Sequence, residues 1–300
     1  MYLAFYGLRE EPFRLTPDPN FLHLADSHRA VLVSLIHGII QRRGFIVTIG
    51  AVGTGKTTLL HTALQILTLR QHVGNRLAES AFLVNPTLTR EELLESVLDD
   101  FEVNCTGTTK PRRLLALREH LLETQRLGGT SVLIVDEAHL LTLELAEEIR
   151  LLSNLDSSSD KLLQIVLAGQ PELDHLLASP KLSALQQRIA VRTRLHPLTP
   201  REVRLYVSER IKIGGRISTH PFLEPALDEI CGLSQGIPRI INLLCDSCLQ
   251  IGFHAGRLQI GTDIVEKAAV ALQLSKPPGQ PPAESRPLDA SRCTHRRNFF

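Results

Sequence analysis

The chain has almost no excess charge of either sign: 33 Lys and Arg stand against 32 Asp and Glu, a formal net charge of +1. That balance gives no electrostatic reason to expect nucleic acid or an anionic membrane as the default partner. No apolar run approaches the roughly 18 residues that would mark a membrane-spanning helix. The N-terminus MYLAFYGLREEPF lacks a basic stretch followed by an apolar core, so it does not read as a secretory leader. The cysteines, at Cys105, Cys231, Cys245, Cys248 and Cys293, form neither a disulfide framework nor a paired zinc spacing. Cys245 and Cys248 are spaced C-x-x-C, but inside the apolar helical run INLLCDSCLQIGF, where a buried core pair is the expectation. There is no internal repeat. These absences leave a globular protein with a cytoplasmic location expected.

Present instead is an alternation of short apolar runs with helical patterns from residue 45 to about 195, the pattern of a parallel α/β sheet. Strands are predicted at 45–50 (FIVTIG), 80–85 (SAFLVN), 131–136 (SVLIVD), 163–169 (LQIVLAG) and 190–195 (AVRTRL). The first four are almost continuously apolar, as strands covered on both faces are. The fifth alternates, as an edge strand does. Thr89 to Glu92 spells a capping box opening a helix, and residues 114–127 have helical spacing that stops at Gly128-Gly129.

From Thr199 the pattern is helical only. Thr199-Pro200-Arg201-Glu202 combines a capping box with proline at the first helical position. Further helices are predicted at about 224–235, 238–255 and 262–274, the last opened by a box from Asp263 to Glu266. The expected organisation is an N-terminal linker and first helix (1–44), an α/β core (45–197), a small helical domain (198–275) and a disordered proline-rich tail (276–300).

Residues 50–57, GAVGTGKT, fit G-x-x-x-x-G-K-S/T between a predicted strand and a predicted helix. In that context Gly50, Gly53 and Gly55 let backbone N–H groups turn inward around phosphate oxygens, with Val52, Thr54 and Thr58 completing the loop and its exit. Lys56 supplies charge to the outer phosphates, and Thr57 offers its hydroxyl to Mg²⁺. The run SVLIVDEAHL, 131–140, ends an apolar strand in Asp136 and Glu137. Asp136 is placed to hold Mg²⁺, and Glu137 to polarise an attacking water. Together they make ATP hydrolysis the expectation.

The letters DEAH at 136–139 invite a helicase, but such enzymes need a second α/β domain, and the helical segment leaves too little chain for one. One α/β core followed by a helical lid resembles an AAA+ ATPase. That resemblance implies a role for Gln170, at the end of a strand, as a polar sensor near the γ-phosphate. It implies further roles for Arg188, as an arginine finger acting on a neighbouring subunit, and for Arg239, in GIPRIINLLCD, as a lid arginine reaching the nucleotide. The segments MYLAFYGL, EPF, LTPDPNFLHL, SHR, GTGKTTLL, VDEAHLL, EEIRLLSNL, AGQPEL, QRIAVR, LTPRE and GIPRIINLLCD occur in that order. They resemble the ATPase domain of the general secretion pathway protein A group, with exosortase-associated and TniB-type transposition ATPases as near relatives. Ala51 departs from the acidic residue expected after the first glycine of the loop.

The resemblance implies a homo-oligomer that uses ATP and Mg²⁺ to remodel or assemble a protein partner in secretion or envelope assembly. The group's membrane span and periplasmic region have no counterpart within these residues. The rival reading is an ATP-dependent DNA-binding regulator of the transposition type, with KPRR (110–113) and RTR (192–194) as phosphate contacts. Near-neutral charge disfavours DNA. A further alternative is a P-loop switch that binds nucleotide without turnover, against which Glu137 and both sensors weigh. Finally, the proline-stiffened stretch from Pro12 to Leu24 is expected to be an extended linker closing the base side of the nucleotide, with a strap filling a groove on the α/β core as the competing role.

Overall fold

In the computed structural model, which describes residues 2–15, 25–74, 78–105, 107, 109–156, 161–215 and 220–275, every predicted strand forms. They are β1 (Phe45–Gly50), β2 (Ala78–Leu83), β3 (Thr130–Val135), β4 (Leu163–Gly169) and β5 (Ile189–Leu195). All pair in parallel, in the order β2-β3-β4-β1-β5. Every residue of β1 and β4 is buried, as continuous apolar runs in a sheet covered on both faces require. β5 alternates in burial and lies at one edge. β2 starts two residues earlier than its apolar run suggests. Its register pairs Leu83 with Val135, which leaves Val84 exposed beyond the ladder.

The alternation divides the core into two layers. Phe45, Val47, Ile49, Leu133, Val135, Ile165 and Leu167 point to one side, packed under α4 (Arg90–Asp100), α5 (Lys110–Arg126) and α6 (Leu143–Leu152). Ile46, Val132, Ile134, Val166 and Ala168 point to the other, under α2 (Asp26–Ile40) and α3 (Lys56–Gly74). Gln164, a polar residue fully buried in β4, accepts from the Gly44 backbone N–H and donates to the Lys161 carbonyl, so its burial leaves no amide group unpaired. α5 begins at Lys110 with Thr109 as its N-cap residue, and Leu127 closes it before the glycine pair.

Two short helices, α7 (Glu172–Leu177) and α8 (Ser183–Gln186), lead to β5. Beyond it α9 (Pro200–Gly214), α10 (Glu224–Ser234), α11 (Pro238–His254) and α12 (Thr262–Ala271) form the lid around their own core. The capping boxes at Thr89 and Thr199 are both present, each stabilising its helix by about 1 kcal/mol. The third is not: α12 is capped by Gly261 without a side-chain bond, and Asp263 lies inside the first turn. There its charge faces the helix dipole and Arg257, 3.6 Å away. Cys245 and Cys248 are fully buried in this core, and burial pushes the Cys248 thiol up to about 12 and Cys245 higher than its ordinary value. They are core residues.

The N-terminal segment belongs to the lid. α1 (Tyr2–Phe5) lies on α11, with the Tyr2 hydroxyl donating to Asp246 Oδ1 at 2.7 Å and the Tyr6 hydroxyl to the Arg257 carbonyl at 2.9 Å. Arg9 and Glu10 donate their backbone N–H groups to the Gly214 carbonyl. Phe13, 2% exposed, meets Phe222 edge-on. As far as residue 15 the proline-stiffened stretch is thus a strap, but it fills a groove on the lid and not on the α/β core as expected, because Phe13 packs with the apolar residues of the lid helices. Positions 16–24 of the expected linker lie outside the described residues. The proline-rich tail from 276 likewise lies outside them. Among the described residues no helix is long and apolar enough to cross a membrane.

Candidate nucleotide-binding site

A parallel sheet presents the C-terminal ends of all its strands on one edge, and there the strand order puts the chemistry together. β4 lies between β1 and β3, so Gln170, just past β4, sits between the loop leaving β1 and the acidic pair leaving β3. The loop closes on itself: Thr54 Oγ1 donates to the Ala51 carbonyl at 2.8 Å. Gly53 and Gly55 have φ values of 77° and 96°, which side chains other than glycine rarely adopt. Val52 is exposed at the loop tip, and Thr58 is already within α3.

Lys56 is buried, with its ammonium 2.9 Å from the Gly50 carbonyl and 3.2 Å from that of Ala51. Burial lowers its pKa, against the opposing pull of Glu137, Asp136 and Glu172. Thr57 donates its hydroxyl to Asp136 Oδ2 at 2.6 Å, a contact spanning 79 positions of sequence. Asp136 is 2% exposed, and it is fixed by its own N–H to the Leu83 carbonyl and by the Glu137 N–H to its Oδ1. Two hard oxygen donors, one hydroxyl and one carboxylate held together beside a lysine, fit Mg²⁺.

Glu137 takes a left-handed conformation, φ 48° and ψ 35°, which turns the chain sharply into a 3₁₀ turn over Ala138–Leu140. Its Oε2 lies 3.5 Å from the Gln170 side-chain nitrogen and 3.4 Å from His139 Nδ1. The lid reaches the loop from outside: the Arg239 N–H at the start of α11 donates to the Gly53 carbonyl at 3.2 Å. A Cβ at Gly53 would come within 3.0 Å of both Ile237 and Arg239. The second core–lid tie is Ser27, which donates to Glu202 Oε1 at 3.0 Å while the other oxygen of Glu202 closes the Thr199 box. Burial pushes the Glu202 carboxyl up, but hydrogen bonds from Thr199 and Ser27 outweigh it and hold the pKa low.

The structure therefore brings Lys56, Thr57, Asp136, Glu137 and Gln170 into one cluster and joins Arg239 to it through the backbone. Arg188 is not part of it: its guanidinium donates to Ser153 Oγ at 2.7 Å and Asn154 Oδ1 at 2.6 Å, beyond the end of α6. Most of the basic residues offered as DNA contacts pair with carboxylates of the chain itself. Lys110 pairs with the buried Glu148 at 2.6 Å, Arg113 with Glu95 at 2.5 Å, and Arg192 and Arg194 both pair with Asp174. Sequence reasoning passed over His139, Ile237 and the Ser27–Glu202 tie. The motifs SHR, DEAH, LTPRE and GIPR contain all of these residues, but no spacing rule says which of them meet.

Residues 39–177 match the family model described as an AAA domain. The chain is 40% identical over 262 residues to general secretion pathway protein A of Aeromonas hydrophila, a match covering 87% of this chain and 46% of that protein. The chain thus spans about half the length of that relative. Among solved structures it is similar to the Aeropyrum pernix ORC2 protein, with TM-score 0.66 and 15% identity, over 88% of this chain and 72% of that one. It is similar also to the Thermotoga maritima RuvB Holliday junction branch migration motor, with TM-score 0.52 and 18% identity, over 87% and 73% of the two chains. At such identities the solved structures speak for the fold alone. Residues 39–177 thus carry an AAA domain on a P-loop fold, and the chain is similar over most of its length to general secretion pathway protein A.

Proposed function

We propose that this chain binds Mg·ATP between its α/β core and its lid and hydrolyses it to ADP and phosphate, using nucleotide state to remodel or assemble a protein partner. The observation that carries the reading is the Thr57–Asp136 contact beside a buried lysine. It holds a P-loop hydroxyl and a strand-end carboxylate at one point, the pairing that a hard cation needs. The backbone N–H groups of residues 50–58 cradle the phosphates, and Lys56 exchanges the Gly50 and Ala51 carbonyls for phosphate oxygens. Thr57 and Asp136 would hold Mg²⁺, which would supply positive charge to offset that of the phosphates. Glu137 accepts a proton from water as the water oxygen bonds to the γ-phosphorus. The bond from that phosphorus to the β–γ bridging oxygen breaks, and ADP keeps the electron pair. Gln170 orients the γ-phosphate and the attacking water. Arg239 senses the phosphates from the lid.

Arg188 completes the site of a neighbouring copy, so turnover depends on homo-oligomer assembly. The similarity to a secretion pathway protein supports a partner in secretion or envelope assembly. Three substitutions test the scheme in nucleotide-binding and phosphate-release assays. Lys56→Ala abolishes ATP binding, Glu137→Gln binds ATP without turnover, and Arg188→Ala binds normally but loses roughly 10³-fold or more of the assembled rate. Full activity in an assembled Arg188→Ala protein would remove the finger from the scheme.

A further inference from the structure

The imidazole of His139 stands between two groups that make opposite demands on one nitrogen. Its Nδ1 is 3.4 Å from Glu137 Oε2, an acceptor, and 3.5 Å from the Gln170 backbone nitrogen, a donor. An Nδ1 that carries hydrogen donates to the carboxylate; one that does not accepts from Gln170. We infer that His139 is a positioning residue that couples Gln170 at the end of β4 to the carboxylate of Glu137. The inference rests on Glu137 being the base proposed above.

The surroundings fix the ring closely. Its side chain is 10% exposed, and α7 and β4 pack directly on the 3₁₀ turn that carries it. The turn can close on β4 because position 169 is glycine: a Cβ there would lie 3.0 Å from the His139 backbone nitrogen and 3.1 Å from Leu173 Cδ2. The left-handed backbone of Glu137 swings its own side chain back toward the ring. Gln170 therefore meets the Glu137 carboxylate by two routes, one through its side-chain amide at 3.5 Å and one through the imidazole. A γ-phosphate that moves Gln170 moves the acceptor or donor that His139 offers the base. Contacts of this length are usual before substrate binds, and they tighten in the reacting complex.

The test uses the full chain, with turnover at saturating ATP and nucleotide affinity measured separately. His139→Ala lowers kcat about tenfold or more, a part of the roughly 10²–10⁴ that a positioned base contributes, and changes ATP affinity less than about twofold. His139→Asn recovers most of that loss, because its amide occupies the place of Nδ1 with both a donor and an acceptor. His139→Phe fills the space without either and stays slow. In a Glu137→Gln background, His139→Ala causes no further loss of residual turnover, since its only target has gone. An unchanged kcat in His139→Ala, equal rates for the Asn and Phe variants, or an undiminished loss in the Glu137→Gln background would each overturn the inference. Full turnover by Glu137→Gln alone would instead refute the base assignment, and it is read independently of position 139.

Discussion

Gly252→Ala should unfasten the N-terminal strap from the lid. A Cβ at this position would lie 2.3 Å from the Tyr6 hydroxyl and 2.5 Å from Ile260 Cδ1. Tyr6 is 5% and Ile260 0% exposed, so neither can yield without opening the lid core. Overpacking of this kind costs about 1–3 kcal/mol. Displacing Tyr6 also forfeits its bond to the Arg257 carbonyl, about 1 kcal/mol more. Alanine is the better helix former by up to about 1 kcal/mol, which offsets that last loss. The net expectation is a lid destabilised by about 1–3 kcal/mol.

Tyr6→Phe alone should cost about 1 kcal/mol through the lost hydrogen bond, but it removes the nearest clashing atom. The two changes should therefore couple, with the double variant about 1 kcal/mol more stable than the sum predicts. The chain has no tryptophan and three tyrosines, Tyr2, Tyr6 and Tyr206, all packed in or against the lid core. Tyrosine fluorescence during urea unfolding thus reports this domain, with Tyr2 and Tyr206 remaining after Tyr6→Phe. Strict additivity, or a Gly252→Ala protein as stable as the parent, would refute the docking of the strap against α11.

The core–lid seam should weaken in acid in two stages. Burial lowers the pKa of His28, so its contribution is whole above about pH 6.5 and is lost as pH falls through the folded value. The low pKa of Glu202 makes its contribution whole above about pH 4.3 and lost below that, and a His28→Gln protein should show only this second stage in melting temperature against pH. Lys110→Met should cost about 2–3 kcal/mol in thermal unfolding, because it strips the partner from a carboxylate that is 3% exposed. Lys110→Met with Glu148→Gln should recover more than half of that loss.

Much of this architecture is legible in the sequence because its causes are local. Thr89 and Thr199 cap their helices through bonds to residues three positions on, so four letters suffice to read them. Asp263 and Glu266 have the same spacing, but the chain places Gly261 at the cap, and a two-residue shift is invisible to a pattern. Lys110 and Arg194 read as free basic charge because their partners, Glu148 and Asp174, come from other elements. The aromatic and proline-rich N-terminus announces apolar burial without naming the surface. Tyr6, Leu8 and Phe13 are buried with lid helices that follow far along the chain, where Gly252 leaves room for Tyr6.

The sequence by itself determined the strands, the phosphate loop, the acidic pair and the helical nature of the second domain. Each depends on periodicity, turn chemistry or capping within a few residues. Only the tertiary structure decided that β4 lies between β1 and β3, which brings Gln170 to Glu137. It alone set Thr57 on Asp136, the start of α11 on Gly53, and the strap on the lid. These contacts join segments far apart in the chain, and their partners are chosen by which faces and strand ends meet once the core has packed.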